Sequence, residues 1–255
     1  MQHEQTTETK RIDSDIMIAI DGLYKSFGSN HVLKNFSLKL NSEENLVVLG
    51  RSGSGKSVLI KCIIGLLKPD DGKIIVFGND VGQLSHHELD MLRTQIGFLF
   101  QSNALYDSMT VRENLEFPLR RHWFELSQRE VDDMVMEALE NVNLGHTAEM
   151  MPAELSGGMA KRIALARTMI LRPKIILYDE PTSGLDPITA REIENLILKL
   201  HDKYKTSSII ISHDMNCVRT TGDRIVLLLD GQCYTEGTFN DLKKSEDKNV
   251  KQFFE

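Results

Sequence analysis

The stretch NLVVLGRSGSGKS at residues 45–57 restricts this chain more than any other part of its sequence. An apolar run, NLVVL, stops at a glycine-rich turn, and a mostly apolar helix is expected next over residues 57–67, ended by Pro69 and Gly72. The order is strand, glycine loop, helix. Residues 50–57, GRSGSGKS, satisfy G-x-x-x-x-G-K-[ST] in full and in that context. The loop residues Gly50, Arg51, Ser52, Gly53, Ser54 and Gly55 let successive backbone N–H groups converge on phosphate oxygens, and the start of the helix adds its partial positive charge. Lys56 supplies a full charge to the outer phosphates, and the Ser57 hydroxyl can ligate Mg2+.

A magnesium nucleotide also needs a carboxylate at the end of a neighbouring strand. IILYDE at residues 175–180 provides it: four apolar residues bury the strand, and Asp179 then emerges where it can hold the metal. Glu180 beside it suits a different task. It is the best candidate for a general base that orients or polarises the attacking water. An isolated Asp-Glu pair is more often a solvated strand cap, and it is the phosphate loop upstream that reverses this reading.

Around these motifs the chain alternates. Residues 17–40 read as short strands of a small antiparallel layer, with turn residues at 28–30. Further strands are expected at 73–77, 96–100, 175–178, 208–212 and 225–229, with a weakly amphipathic segment at 86–95 and a helix at 188–201. Asp230-Gly231 marks a hairpin into a last strand. In the middle, Ser127 and Glu130 form a capping box ahead of Val131, Met134, Val135, Ala138, Leu139 and Val142 at helical spacing. A helical subdomain is therefore expected as an insertion over about 102–169. The fold class is α/β, a mainly parallel core sheet with helices on both faces. Residues 1–15 are expected to form a flexible tail, 16–239 the domain and 240–255 a short C-terminal tail.

Composition excludes several classes of protein. The 255 residues are 41% apolar, enough for a real core, yet no apolar stretch approaches the roughly 18–20 residues needed to cross a bilayer. No direct membrane insertion is expected. The net charge of −7 disfavours a chain that coats nucleic acid or clings unaided to anionic lipid. Cys62, Cys217 and Cys233 lie far apart and read as reduced thiols. His86-His87 reads as solvated surface and Trp123 as packing within the helical subdomain.

Six motifs in one order carry a resemblance. GRSGSGKS is followed by FLFQ ending at Gln101, LSGGM at 155–159, IILYDE, SGLD at 183–186 and ISHD containing His213. Together they resemble the nucleotide-binding subunit of an ATP-binding cassette (ABC) system over residues 16–239, a P-loop NTPase of the ABC ATPase type. The resemblance implies ATP and Mg2+ as ligands and ATP hydrolysis as the activity. It implies a head-to-tail homodimer in which each ATP lies between one chain's Lys56 loop and the other chain's Ser156, Gly157 and Gly158. A plain helix N-cap at Ser156 is the alternative reading of LSGG. Phe27 matches the aromatic that stacks on adenine, with core packing as its alternative. Gln101 is implied to sense magnesium and the attacking water, His213 to hydrogen-bond the γ-phosphate, and Asp186 to act across the dimer.

Cargo is not written in the motor itself. The segment after Gln101 offers Ala104, Leu105, Tyr106 and Met109 as a groove for a helix of an integral membrane permease. FQSNALYDSMTV, FPLRRH and Met159, where the family at large usually has Gln, are similar to the ATPases of Mla-type phospholipid transport systems, which serve a permease paired with MCE-domain proteins. The C-terminal KNVKQFFE also resembles the tails of that group. The resemblance implies a peripheral subunit at the cytoplasmic face of the inner membrane. An importer subunit for a small polar solute and a non-transport regulatory ATPase are the alternatives.

Overall fold

A computed structural model describes residues 15–121 and 125–254. The expected tail before Asp15 and the expected packing of Trp123 lie outside the described residues. The chain starts with β1 (Ile16–Phe27) and β2 (Asn30–Asn41), an antiparallel pair. Each strand is 12 residues long rather than short. They stay continuous because register shifts between Ile20 and Leu23 and again near the turn absorb the residues that break strict alternation.

Next come β3 (Asn45–Leu49), buried along its whole length, and α1 (Lys56–Ile63). The helix ends short of the expected Leu67. Gly65 adopts φ +66°, its N–H bonds to Cys62 O, and Leu66 N–H reaches Lys61 O, a left-handed closure that an apolar run conceals in sequence. β4 (Asp71–Val76) and β5 (Asn79–Asp80) then complete a four-stranded sheet in the order β2-β1-β4-β5.

α2 (His86–Thr94) opens with a capping box between Ser85 and Glu88 and leads to β6 (Ile96–Leu99). Between β6 and β7 lie α3 (Val111–Arg121), α4 (Gln128–Asn141) and α5 (Gly157–Met169). The capping box expected at Ser127 and Glu130 is formed. The chain continues through β7 (Ile175–Asp179), α6 (Pro187–Tyr204), β8 (Ser207–Ser212), α7 (Met215–Thr221) and β9 (Arg224–Leu229). Asp230 and Gly231, at φ 51° and 82°, turn it into β10 (Gln232–Gly237). The segment beyond is helical, with α8 (Phe239–Lys243) and α9 (Lys248–Phe254) burying Leu242 and Val250.

Among the described residues the second sheet has six strands in the order β10-β9-β3-β8-β7-β6, parallel except for β10. One apolar cluster fills the space between the two sheets with α1 and α2, and another lies under α3 to α6. β3 sits at the centre. Its register pairs Leu49 with Ser212 of β8, while Asp179 of β7 pairs with Ile211. The residues that follow, Gly50, His213 and Glu180, thus leave the sheet side by side at the carboxyl ends of adjacent parallel strands, where α/β sheets bind ligands.

Candidate functional site

An open cleft of about 330 Å³ lies at that edge. Phe27, Ser52, Gly53, Gly55, Lys56, Ser57, Gln101, Glu180 and His213, all expected from the sequence, line it. Val32 and Val58 line it as well, and nothing in the sequence distinguishes them from core valines.

The loop is built to leave donors free. Gly55, the N-cap of α1, sits at φ +104° and has no side chain to cap the helix, so the first-turn N–H groups point outward. A Cβ there would meet Val32 Cγ1 at 2.7 Å, so only glycine fits. Lys56 crosses the loop, donating to Gly50 O at 2.8 Å and Arg51 O at 3.0 Å. Its ammonium is buried, which pulls its pKa below the ordinary lysine value, while the Glu180 and Asp179 carboxylates pull it back up. Glu180 Oε1 stands 3.9 Å from Lys56 Nζ.

Ser57 Oγ donates to Asp179 Oδ1 at 3.1 Å. Burial pushes the Asp179 carboxyl above the usual carboxylate range, and the Ser57 hydrogen bond opposes that shift. A hydroxyl and a carboxylate are the hard oxygen donors Mg2+ takes, and the residues fit this ion. Among the described residues there is no group of three or more His, Cys, Asp or Glu that could hold a metal ion by itself.

Glu180 adopts φ +51°, a left-handed backbone that costs a non-glycine residue roughly 1–2 kcal/mol. Its amide donates to Ile211 O at 3.0 Å, which holds the bend. His213 Nδ1 lies 2.9 Å from Glu180 Oε1, so the carboxylate is fixed from two sides. Gln101 Nε2 donates to Ser183 Oγ at 3.3 Å, and the Gln101 carbonyl accepts from Lys161 Nζ at 2.9 Å. Phe27 is 49% exposed, not core, and its ring lies 5.5 Å from Lys25 Nζ. Asp70 steadies this strand end, accepting from Lys25 Nζ at 2.8 Å and Ser26 N–H at 2.6 Å.

Ser156, Gly157, Gly158 and Asp186 do not line this cleft. They gather instead at the starts of α5 and α6. Ser156 Oγ accepts from Met159 N–H at 3.2 Å, so the N-cap is formed in this chain. Asp186 caps α6 through Ile188 and Thr189, and the Thr189 hydroxyl holds its carboxyl below the usual range. A Cβ on Gly158 would meet Thr189 Cγ2 at 2.6 Å, so that glycine lets the two helix starts approach. Met159 packs against the larger apolar cluster, a role a glutamine amide would not share. One contact had no sequence signal at all: Arg51 of the loop donates to Gln252 Oε1 of α9.

After Gln101, Ala104 and Tyr106 line a second groove of about 460 Å³ with Phe98, Phe100 and Phe117. Leu105 is half-buried against the larger cluster, and Met109 is half-buried too. His86 and His87 are exposed, and the three cysteines are free thiols.

Residues 33–183 match the family described as ABC transporter. The chain is 40% identical to the probable ribonucleotide transport ATP-binding protein mkl of Mycobacterium leprae over 95% of its own length and 70% of that protein. It is 38% identical to the intermembrane phospholipid transport system ATP-binding protein MlaF of Haemophilus influenzae over 93% of its length and 89% of that protein. Among solved structures it is similar to the dimeric ATP-binding cassette MJ0796 in a post-hydrolysis state bound to ADP and Pi. That similarity has a TM-score of 0.79 and 33% identity, covering 87% of this chain and 98% of the other.

Proposed function

Because the chain belongs to the ABC transporter family as an ATP-hydrolysing cassette that uses ATP and Mg2+, we propose that it powers a phospholipid transport complex between bacterial membranes. The observation that carries the proposal is the 38% identity to a phospholipid transport ATPase over 93% of the chain and 89% of that protein. The cargo never touches this subunit. No helix among the described residues is long and apolar enough to cross a membrane, so an integral membrane permease supplies the path. The permease docks a cytoplasmic helix in the groove beside Tyr106 and Phe117. An MCE-domain protein receives or delivers the lipid, and the ATPase lies at the cytoplasmic face of the inner membrane.

The cleft residues then take roles set by their geometry. Phe27 presents its exposed face to the adenine ring, and the free N–H groups of the loop hold the phosphates. The Lys56 ammonium exchanges loop carbonyls for phosphate oxygens. Ser57 and Asp179 would hold Mg2+, with Gln101 alongside, and the ion would supply neutralisation of phosphate charge. The Glu180 carboxylate accepts the proton of the attacking water, and His213 keeps that carboxylate aimed while reaching toward the γ-phosphate.

Ser156, Gly157, Gly158 and Asp186 lie outside the cleft of their own chain because they serve the nucleotide of a second copy. Each ATP is thereby shared by two chains, and loss of the γ-phosphate removes the contact that held them closed. Copurifying the chain with its membrane partners and identifying retained lipids by mass spectrometry tests the cargo. Phospholipid in the complex, with ATP-dependent transfer of labelled phospholipid between vesicles, is expected. No lipid, together with turnover stimulated by a soluble solute, would replace this reading with a small-solute importer.

A further inference from the structure

Lys161 is 2% exposed, and the one hydrogen-bond partner of its ammonium among the described residues is the backbone carbonyl of Gln101, at 2.9 Å. Such a group is expensive to hide. A buried lysine with an incomplete set of acceptors loses most of the hydration that stabilises its charge. Burial accordingly pulls its pKa below the ordinary lysine value, an effect the nearby Asp179 carboxylate partly opposes. The carbonyl of Gln101 cannot leave without stranding that charge in the interior, at a cost that exceeds an ordinary lost hydrogen bond.

Position makes this contact more than a packing detail. Lys161 lies on α5 five residues after Ser156, roughly 7.5 Å along the helix. The same helix holds the loop a second time, since Arg167 donates to Asn103 O at 3.1 Å. At the second grip and just beyond it Asn103 and Ala104 adopt φ 63° and 53°, left-handed values that non-glycine residues seldom take. On its other side the Gln101 amide is held by Ser183. The Gln101 backbone is thus tied to α5, and its amide to the segment after β7.

We propose that Lys161 is a positioning residue that ties Gln101 in the Lys56 cleft to the helix beginning at Ser156. A displacement of α5, when Ser156 meets phosphate from a second copy, then resets the amide beside Ser57 and Glu180. The link runs within one chain, between the residues that serve its own nucleotide and those that serve its neighbour's. It rests on the proposed function above, in which the Lys56 cleft hydrolyses ATP.

The test uses the chain copurified with its membrane partners. Lys161→Met keeps the volume and apolar stem but removes the donor. It should bind a fluorescent ATP analogue within about threefold of wild type, while kcat falls at least tenfold and KM stays within about threefold. Lys161→Arg, which can still reach a carbonyl, should recover a third or more of the turnover. In a double-mutant cycle, Lys161→Met should lower kcat less than threefold when Gln101 is already Ala, because the lysine acts through that residue. Wild-type turnover in the methionine variant, equal losses in the methionine and arginine variants, or additive losses in the cycle would each overturn the inference. If Lys161→Met does not fold, Lys161→Gln, too short to span to the carbonyl, replaces it with the same outcomes. Lys56→Ala run in parallel separates the two claims: turnover surviving that change sinks the cleft reading itself, whereas an inactive Lys56→Ala beside a fully active Lys161→Met sinks only the lysine link.

Discussion

His213 Nδ1 and Glu180 Oε1 lie 2.9 Å apart at the carboxyl ends of two neighbouring parallel strands. Neither strand alone positions this pair. The parallel register of β7 and β8 sets Asp179 beside Ile211, and the left-handed bend at Glu180 then turns its carboxylate back toward the imidazole. Replacing His213 by Ala frees one carboxylate oxygen and leaves every N–H of the glycine loop in place. Turnover should fall by about 10²-fold, with ATP affinity changed less than about threefold. Equal losses in affinity and turnover would place His213 in ground-state binding instead.

Lys56→Ala removes the one ammonium that reaches across the loop to Gly50 O and Arg51 O. A charge-assisted hydrogen bond to phosphate contributes on the order of 1.5–3 kcal/mol. ATP should bind about 10- to 100-fold more weakly by equilibrium titration, with no measurable hydrolysis. Undiminished hydrolysis would show that phosphate is held elsewhere.

Asp70 is a pH-dependent brace for Phe27. The hydrogen bond from Lys25, followed by that from Ser26 N–H, holds its carboxyl below the usual range. A carboxyl whose pKa is lower folded than unfolded stabilises the fold above its unfolded pKa of about 3.9, and that contribution is lost as pH falls through the folded value. Wild type should therefore be more stable than Asp70→Asn at pH 6 by denaturant titration, and the gap should close below about pH 4. A gap that widens in acid contradicts this sign. At pH 7 the same variant should raise KM for ATP more than it lowers kcat.

Tyr178 is 0% exposed, and among the described residues its hydroxyl has no hydrogen-bond partner. Desolvation alone pushes its ionisation far upward. Tyr178→Phe keeps the ring and discards the unmet polar atom, so it should stabilise the chain by about 1 kcal/mol. For a chain of this size that corresponds to roughly 2–4 °C in Tm. A fall in Tm would mean the hydroxyl has a partner, such as a buried water.

Much of this site was legible because its chemistry is local in sequence. The apolar run 45–49, the glycines at 50, 53 and 55 and the helix after them are contiguous, so strand, loop and helix follow from residues within reach of one another. What depended on distant contacts was not. Gly65 inside an apolar run gave no warning that α1 closes at Ile63, since glycine also occurs within helices. Val32 lines the cleft because β2 brings it against Gly55, a contact set by sheet pairing. Gln252 meets Arg51 across 201 residues, and no spacing rule spans that distance. Ser156 and Asp186 show the remaining gap: their motifs were readable, yet in the single chain both act as N-caps. The task proposed for them at a shared nucleotide needs a second copy.

The account stands on Glu180 as the base that activates water in a cleft whose grip on ATP is independent of it. Glu180→Gln preserves shape and can still hydrogen-bond His213, but it cannot accept a proton at neutral pH. Single-turnover hydrolysis and equilibrium ATP binding should be measured together on this variant in the membrane assembly. The account requires binding within about threefold of wild type and hydrolysis slowed by at least about 10²-fold. Hydrolysis at the wild-type rate would contradict it directly.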